Sequence, residues 1–275
     1  MPDALLFLGP ALAMCLVIAS LHVYLGMHIL AREVIFVDLS LAQLAALGAT
    51  VVAVVTEKES AVAAHAGALA FTFLGAAIFA FTRHERGRVS QEAIVGIVYA
   101  VASATTLLVL SRSPHGAEHV KDILVGSLLV TTWDRVWETL AAYVVLGVAQ
   151  AVFAKRFIEL SWRPEEAERA GRHVGWWDLL FYLLFGVVIT ISVQVAGILL
   201  VFSFLIVPAV VSAFFWTRLR ARLFAGWGVA TIASTLGLWA SWDWDLPTGA
   251  AIVAAFGAIL AVAGAARAMM SGVHA

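Results

Sequence analysis

Residues 177–215 read WDLLFYLLFGVVITISVQVAGILLVFSFLIVPAVVSAFF, and the only charged side chain among them is Asp178. As one straight helix this stretch would be about 58 Å long, whereas the hydrocarbon core of a bilayer is about 30 Å thick. The stretch therefore predicts two consecutive membrane-spanning helices, over residues 177–196 and 198–215. Gly197 lies between them, and we expect it to form the corner because glycine accepts backbone angles that other residues avoid.

The whole chain has the composition of a membrane protein. Of its 275 residues, 63% are hydrophobic and 13% are charged, and the mean hydropathy is +0.97. A soluble domain carries about twice that charged fraction. The formal net charge of -1 provides no basic surface for a nucleic acid, and the single cysteine, Cys15, excludes an internal disulfide.

Other apolar segments of the chain are also long enough to cross a bilayer. We predict nine spans, or eight if the first lies at the membrane surface or two of them form a broken pair. The segments are residues 5–26, 33–55, 61–82, 92–110, 136–154, 177–196, 198–215, 223–239 and 246–266. The sequence thus predicts an all-α integral membrane bundle that forms one domain over residues 1–275, with the polar segment 155–175 as a loop.

The Lys and Arg side chains are distributed unevenly between alternate loops. With the N-terminus outside, 13 of the 17 basic residues lie in inside loops. The outside loops then hold only Lys58, Arg112, Lys121 and Arg135. Because basic loops resist translocation, we predict an outside N-terminus and an inside C-terminus.

The chain lacks the sequence pattern of a nucleotide-binding loop. No stretch reads G-x-x-x-x-G-K-[ST], the pattern whose backbone N–H groups cradle phosphates. If ATP drives the activity of this protein, a separate subunit must bind the nucleotide.

Five stretches, in order along the chain, resemble segments of one protein family. They are 91–97 QEAIVGI, 122–129 DILVGSLL, 163–171 RPEEAERAG, 195–209 VAGILLVFSFLIVPA and 245–253 DLPTGAAIV. They are similar to segments of the permeases of metal-uptake ABC transporters, the zinc, manganese and iron type.

This resemblance implies a function and a set of partners. The chain would be the permease subunit of an ATP-binding-cassette importer for divalent metal ions, with zinc expected and manganese or iron as alternatives. It would form a homodimer in a bacterial inner membrane, with cytoplasmic ATPase subunits and an extracytoplasmic metal-binding protein. The metal would be its substrate, ATP would be used by the partner subunit, and the chain itself would hold no cofactor and catalyse no reaction.

The family's transport-site pattern, Arg, then Asp-x-x-x-His, then Gly, is only partly present. Residues 32–48 read REVIFVDLSLAQLAALG, so Asp38 matches the carboxylate while Ala42 stands at the histidine position. We expect Asp38 to be either a ligand on the metal path or a structural partner of a neighbouring span. Gln43 is a weaker candidate ligand or an interhelical hydrogen-bonding group, and Glu92 is either a helix cap or a cation contact.

Three arginines follow the 198–215 span closely. Arg218, Arg220 and Arg222 are explained by an inside turn alone. The resemblance also implies that residues 209–222 form the coupling helix that contacts the ATPase, and both interpretations can hold together.

Two other classes of protein are alternatives to an ABC permease. An ion-gradient-driven secondary transporter would need carboxylates within its spans, and few are present beyond Asp38. His115, Glu118 and His119 read His-x-x-Glu-His, as in some metalloproteases, but Pro114 and Gly116 place this string in a loop. The other interpretations are a weak external metal-gathering patch and a plain solvated loop, and we favour the solvated loop.

Overall fold

The computed structural model describes residues 2–56, 61–83, 89–111, 126, 128–169 and 173–272. Within these residues nine helices are long and apolar enough to cross a membrane, which confirms the all-α class and the prediction of nine spans rather than eight. The helices are α1 (Pro2–Arg32), α2 (Val37–Thr56), α3 (Ala61–Thr82), α4 (Gln91–Leu110), α5 (Trp133–Trp162), α6 (Pro164–Arg169), α7 (Val174–Ala196), α8 (Ile198–Phe215), α9 (Leu219–Trp244) and α10 (Thr248–Gly272). The six-residue α6 is the one that is too short to span.

The predicted corner at Gly197 is confirmed. This single residue separates α7 from α8, and its φ of 75° and ψ of 162° lie in a region that side chains disfavour. Gly126, with φ of 70°, packs against the same corner. The approach is so close that a Cβ at Gly126 would collide with the backbone of Ala196 and Gly197. The corner is therefore a close backbone contact that only glycine permits.

The predicted start of the second span at residue 33 is wrong. Helix α1 continues to Arg32, and α2 begins only at Val37. Glu33 adopts a left-handed backbone with φ of 57°. Since this conformation ends a right-handed helix, residues 33–36 form a short turn and Asp38 falls in the first turn of α2.

The prediction that residues 155–175 form a loop is also wrong. Helix α5 continues through its polar end to Trp162, and α6 follows after one residue. Ala167 of α6 is fully buried against Leu160 and Val174. Residues 155–175 carry many charges and few buried apolar side chains. Hydropathy detects helices as long apolar runs, so it does not detect the helical turns in this segment.

Close contacts divide the chain into two compact units. Unit 1 comprises Met1–Leu30, Val125–Val144 and Val195–Ala275. Within it, a Cβ at Gly26 would collide with the carbonyl of Leu205, and one at Gly237 would collide with the backbone of Ile252. These glycines let α1 approach α8 and let α9 approach α10.

Unit 2 comprises Ala31–Leu124 and Val145–Gln194. Helices α2 and α3 touch through Gly48 and Gly67, each of which faces the other's carbonyl group. Thr72 of α3 and Thr190 of α7 share a buried hydroxyl hydrogen bond of 3.0 Å. The single domain over residues 1–275 stays a prediction.

Candidate functional site

Two carboxylates lie at neighbouring helix starts in unit 2. Asp38, in the first turn of α2, is only 1% exposed, and Glu92 lies in the first turn of α4. The backbone N–H of Phe36 donates a hydrogen bond of 3.3 Å to Glu92 Oε1, which brings the start of α4 to the turn before α2. Ser40 of α2 also bonds the carbonyl of Val95 of α4, so the two helix starts lie side by side. Helix N-termini carry a positive partial charge, which favours carboxylates at both positions.

The pair has unused hydrogen-bonding capacity. Both carboxylate oxygens of Asp38 and Oε2 of Glu92 are buried without a hydrogen bond of normal geometry to any residue that the structure describes. Buried charged oxygens are costly unless they are paired or coordinate a cation, and carboxylates favour hard cations. The arrangement is thus suited chemically to a cation.

Of the three residues predicted as metal ligands, the structure brings two together. Asp38 and Glu92 form the carboxylate pair, whereas the buried side chain of Gln43 makes no hydrogen bond within the described residues. On a regular helix Gln43 points about 140° away from Asp38. No group of three His, Cys, Asp or Glu side chains placed to hold a metal occurs in the described part of the chain.

Four hydrogen bonds hold the start of α4 in place, and one of them comes from α2. Ser40 Oγ donates to the carbonyl of Val95 at 3.2 Å, and the hydroxyl of Ser90 caps α4 by accepting from the N–H of Ala93. Gln91 Nε2 donates to the carbonyl of Phe79 at 3.0 Å and to Tyr182 Oη at 3.3 Å. These contacts fix the helix end that carries Glu92.

A buried ion cluster lies in the same unit, and sequence reasoning missed it. Arg32 Nη1 and Arg83 Nη1 each donate to a different oxygen of Asp178 at 2.7 Å. The side chains of Arg32 and Asp178 are fully buried. We call Arg32, Arg83 and Asp178 the Asp178 cluster. One feature of the sequence could have indicated the cluster: Asp178 is the lone charged residue in 177–215, and a charge within a span is costly without a partner.

The Asp178 cluster ties together the ends of four helices. Arg32 Nε donates to Ser161 Oγ at 2.9 Å, and Arg83 Nη2 donates to the carbonyl of Leu160 at 3.2 Å. The Arg32 guanidinium also lies 3.9 Å from the centre of the Phe181 ring. Since Arg32 ends α1, Arg83 follows α3, residues 160 and 161 belong to α5, and Asp178 lies in α7, the cluster joins α1, α3, α5 and α7.

The predicted coupling segment 209–222 is not one helix. Residues 209–215 continue α8, residues 216–218 form a break, and α9 starts at Leu219. Arg218 and Arg220 are exposed, and neither forms an ion pair with a described residue. Arg222 differs, because its Nη2 donates to the carbonyl of Ala209 at 3.5 Å. Arg218 and Arg220 are therefore the two arginines that a partner could reach. His115, Glu118 and His119 lie outside the described residues.

Comparison with known proteins identifies the family. The model of the ABC 3 transport family matches residues 4–267. The chain belongs to this family. Membership in the ABC 3 transport family confirms the resemblance found in the sequence, and together with the nine apolar helices it makes the chain a multi-pass protein of the bacterial inner membrane.

Among the proteins that are similar to this chain are two whose names state a transported metal. The manganese transport system membrane protein MntC of Listeria innocua is 26% identical over 188 residues, which are 66% of this chain and 67% of that protein. The chelated iron transport system membrane protein YfeD of Yersinia pestis is 28% identical over 171 residues, 62% of this chain and 57% of that protein.

A solved structure has the same fold as this ABC 3 family member. PsaBC from Streptococcus pneumoniae, in complex with Fab, matches with a TM-score of 0.78 and 20% identity, and the match covers 95% of this chain and 93% of that chain. The similarity extends over nearly the whole chain, so the nine-span arrangement is a fold that this chain shares with a solved protein.

Proposed function

We propose that this chain is the permease subunit of an ABC importer for a divalent transition metal, with Mn²⁺ as the substrate. The observation that carries the proposal is the pairing of buried Asp38 with half-buried Glu92, in which three carboxylate oxygens are buried without a hydrogen bond to any residue that the structure describes. Ferrous iron is the second candidate, because it is only slightly softer than Mn²⁺.

The substrate follows from the chemistry of the ligands. Zinc prefers imidazole and thiolate ligands, and Ala42 stands where the family pattern would supply imidazole. Carboxylate oxygens suit Mn²⁺ better. The names of the similar proteins MntC and YfeD, for manganese and chelated iron, point in the same direction. We therefore propose Mn²⁺ in place of the zinc expected from the sequence.

Transport by this chain would depend on partners. Two copies would form the membrane path, ATPase subunits would bind at the cytoplasmic side, and a metal-binding protein would deliver the ion from outside. The missing nucleotide-binding loop supports a separate ATPase. The exposed Arg218 and Arg220 supply a basic contact for it, between α8 and α9. The single domain over residues 1–275 fits this role.

Metal binding by the purified chain in nanodiscs tests the proposal. We expect calorimetric titration with Mn²⁺ to show a site that Asp38→Asn and Glu92→Gln each weaken strongly, since each variant removes one charged ligand but keeps the side chain's shape. The control variant is Asp134→Asn, which changes a carboxylate in the first turn of α5 instead. Unchanged Mn²⁺ affinity in both site variants would refute the proposal.

A further inference from the structure

Gln91 is the residue next to Glu92, and its side chain bonds α3 and α7 instead of joining the carboxylate pair. Its amide nitrogen donates to the carbonyl of Phe79 at 3.0 Å, near the end of α3. It also donates to Tyr182 Oη at 3.3 Å, on α7. One amide group thus attaches the first residue of α4 to two other helices.

The two residues that accept these hydrogen bonds are buried and packed against each other. Tyr182 and Phe79 are fully buried, and their rings meet edge to face with centroids 6.4 Å apart. The Arg32 guanidinium of the Asp178 cluster lies 5.4 Å from the centre of the Tyr182 ring. Gln91 therefore connects the helix end that carries Glu92 to the ion cluster that joins four helices.

We infer that Gln91 is a positioning residue for the metal site: it holds the first turn of α4 so that the Glu92 carboxylate faces Asp38. This inference rests on the proposed function. The first turn of a helix is where fraying begins, because its N–H groups have no partner within the helix. Without the Gln91 bonds the first turn of α4 can loosen, and Glu92 moves relative to Asp38.

The place of Gln91 in the chain supports a role at the site in addition to a role in the fold. Ser40 and Ser90 hold α4 through backbone groups of Val95 and Ala93, which follow Glu92 in the chain. Gln91 provides the side-chain anchor on the other side of Glu92. A site with two protein ligands depends strongly on their mutual geometry, and loss of a residue that orients a metal ligand costs about 10-fold or more in metal affinity.

The test compares Mn²⁺ affinity and stability in the full chain in nanodiscs. We expect Gln91→Leu to weaken Mn²⁺ binding about 10-fold. Tyr182→Phe removes one of the two bonds and should weaken binding less, and the double variant should resemble Gln91→Leu. In a Glu92→Gln background, Gln91→Leu should change the residual affinity no further, because it acts through Glu92.

The matched control is Thr72→Val, which removes the buried hydroxyl pair with Thr190 in the same unit. It should lower the melting temperature and leave Mn²⁺ affinity unchanged. If Asp38→Asn and Glu92→Gln weaken binding while folded Gln91→Leu and Tyr182→Phe bind like the parent, the positioning role is overturned and the proposed function stands. If the two carboxylate variants bind Mn²⁺ normally, both the proposed function and the positioning role of Gln91 are refuted. Should Gln91→Leu fail to fold, Tyr182→Phe decides.

Discussion

Asp178 accepts hydrogen bonds from two arginines in the interior of unit 2. Oδ1 accepts from Arg32 Nη1 at 2.7 Å and from Arg83 Nη1 at 2.8 Å, and Oδ2 accepts from Arg83 Nη1 at 2.7 Å. The Asp178 side chain is fully buried. A buried carboxylate in this position offsets the charge of two groups that could not otherwise leave water. Its role is to make the junction of α1, α3, α5 and α7 stable.

Replacement of Asp178 should therefore be strongly destabilising. We expect Asp178→Asn to lower the free energy of unfolding by about 3–5 kcal/mol, because it leaves two arginines without a buried counter-charge. Glu166→Gln is the control, since it breaks an exposed ion pair with Arg163 and should cost less than about 1 kcal/mol. Denaturant unfolding in detergent measures both, and equal stability of the two variants would contradict this role.

The residue one helical turn after Asp38 should control metal preference. Ala42→His would place an imidazole on the Asp38 face of α2, so we expect it to raise the preference for Zn²⁺ over Mn²⁺. Ala42 is 2% exposed, and the larger side chain should also lower stability. Gln43→His is the matched control, because position 43 points away from Asp38. Competition binding with the two metals checks this, and an equal change in both variants would argue against it.

At the scale of the helix, contact between α2 and α3 depends on two glycines. A Cβ at Gly48 would collide with the carbonyl of Gly67, and a Cβ at Gly67 would collide with Val52. Gly48 is also the last residue of the family's transport-site pattern. In this structure it is a packing residue that keeps α2, and with it Asp38, against α3.

Alanine at either glycine should therefore disrupt the contact. We expect Gly48→Ala and Gly67→Ala to lower the free energy of unfolding by about 1–3 kcal/mol through overpacking. Gly96 on α4 faces open space, so Gly96→Ala should be neutral or stabilising by up to about 1 kcal/mol. Thermal unfolding in nanodiscs compares the three. If Gly48→Ala were as stable as Gly96→Ala, α2 and α3 would be able to move apart at no cost in stability, and the prediction would be wrong.

The turn between α8 and α9 should carry contact with the ATPase. In a reconstituted complex, we expect the Arg218→Glu/Arg220→Glu double variant to lose most metal uptake while the protein stays folded, because both side chains are exposed. Arg135→Glu, on an exposed arginine at the start of α5, is the control. Uptake and ATP hydrolysis are measured together. Normal uptake in the double variant would leave these arginines with a topological role only.

The helices were predictable because a run of apolar residues marks each one locally in the sequence. Helix ends and the contacts within the site have no such local mark. Residues 61–82 and 198–215 are helices with the predicted bounds. The end of α5 and the turn at Glu33 escaped prediction, since polar helical turns and left-handed residues leave no mark in hydropathy. Asp38 stood out as a charge in an apolar segment. Glu92 is 54 positions away, and only the packed structure shows that the start of α4 lies beside the start of α2.

At the scale of the whole molecule, the orientation in the membrane follows from the basic residues. Both ends of α9 are accessible to a label, since Thr217 precedes the helix and Asp243 lies near its end, and both are exposed. In a Cys15→Ala background, Asp243→Cys should react with an impermeant thiol reagent from outside, and Thr217→Cys should not. The reverse pattern would overturn the orientation and, with it, the ATPase contact.

On the proposed function, Asp38 and Glu92 together bind the transported cation. An anomalous difference map at the manganese edge, from crystals of the full chain grown with Mn²⁺, tests this claim most directly. We predict a peak between the Asp38 and Glu92 carboxylates that is lost in Asp38→Asn. A manganese peak elsewhere in the membrane-spanning helices, with none at this pair, would contradict it.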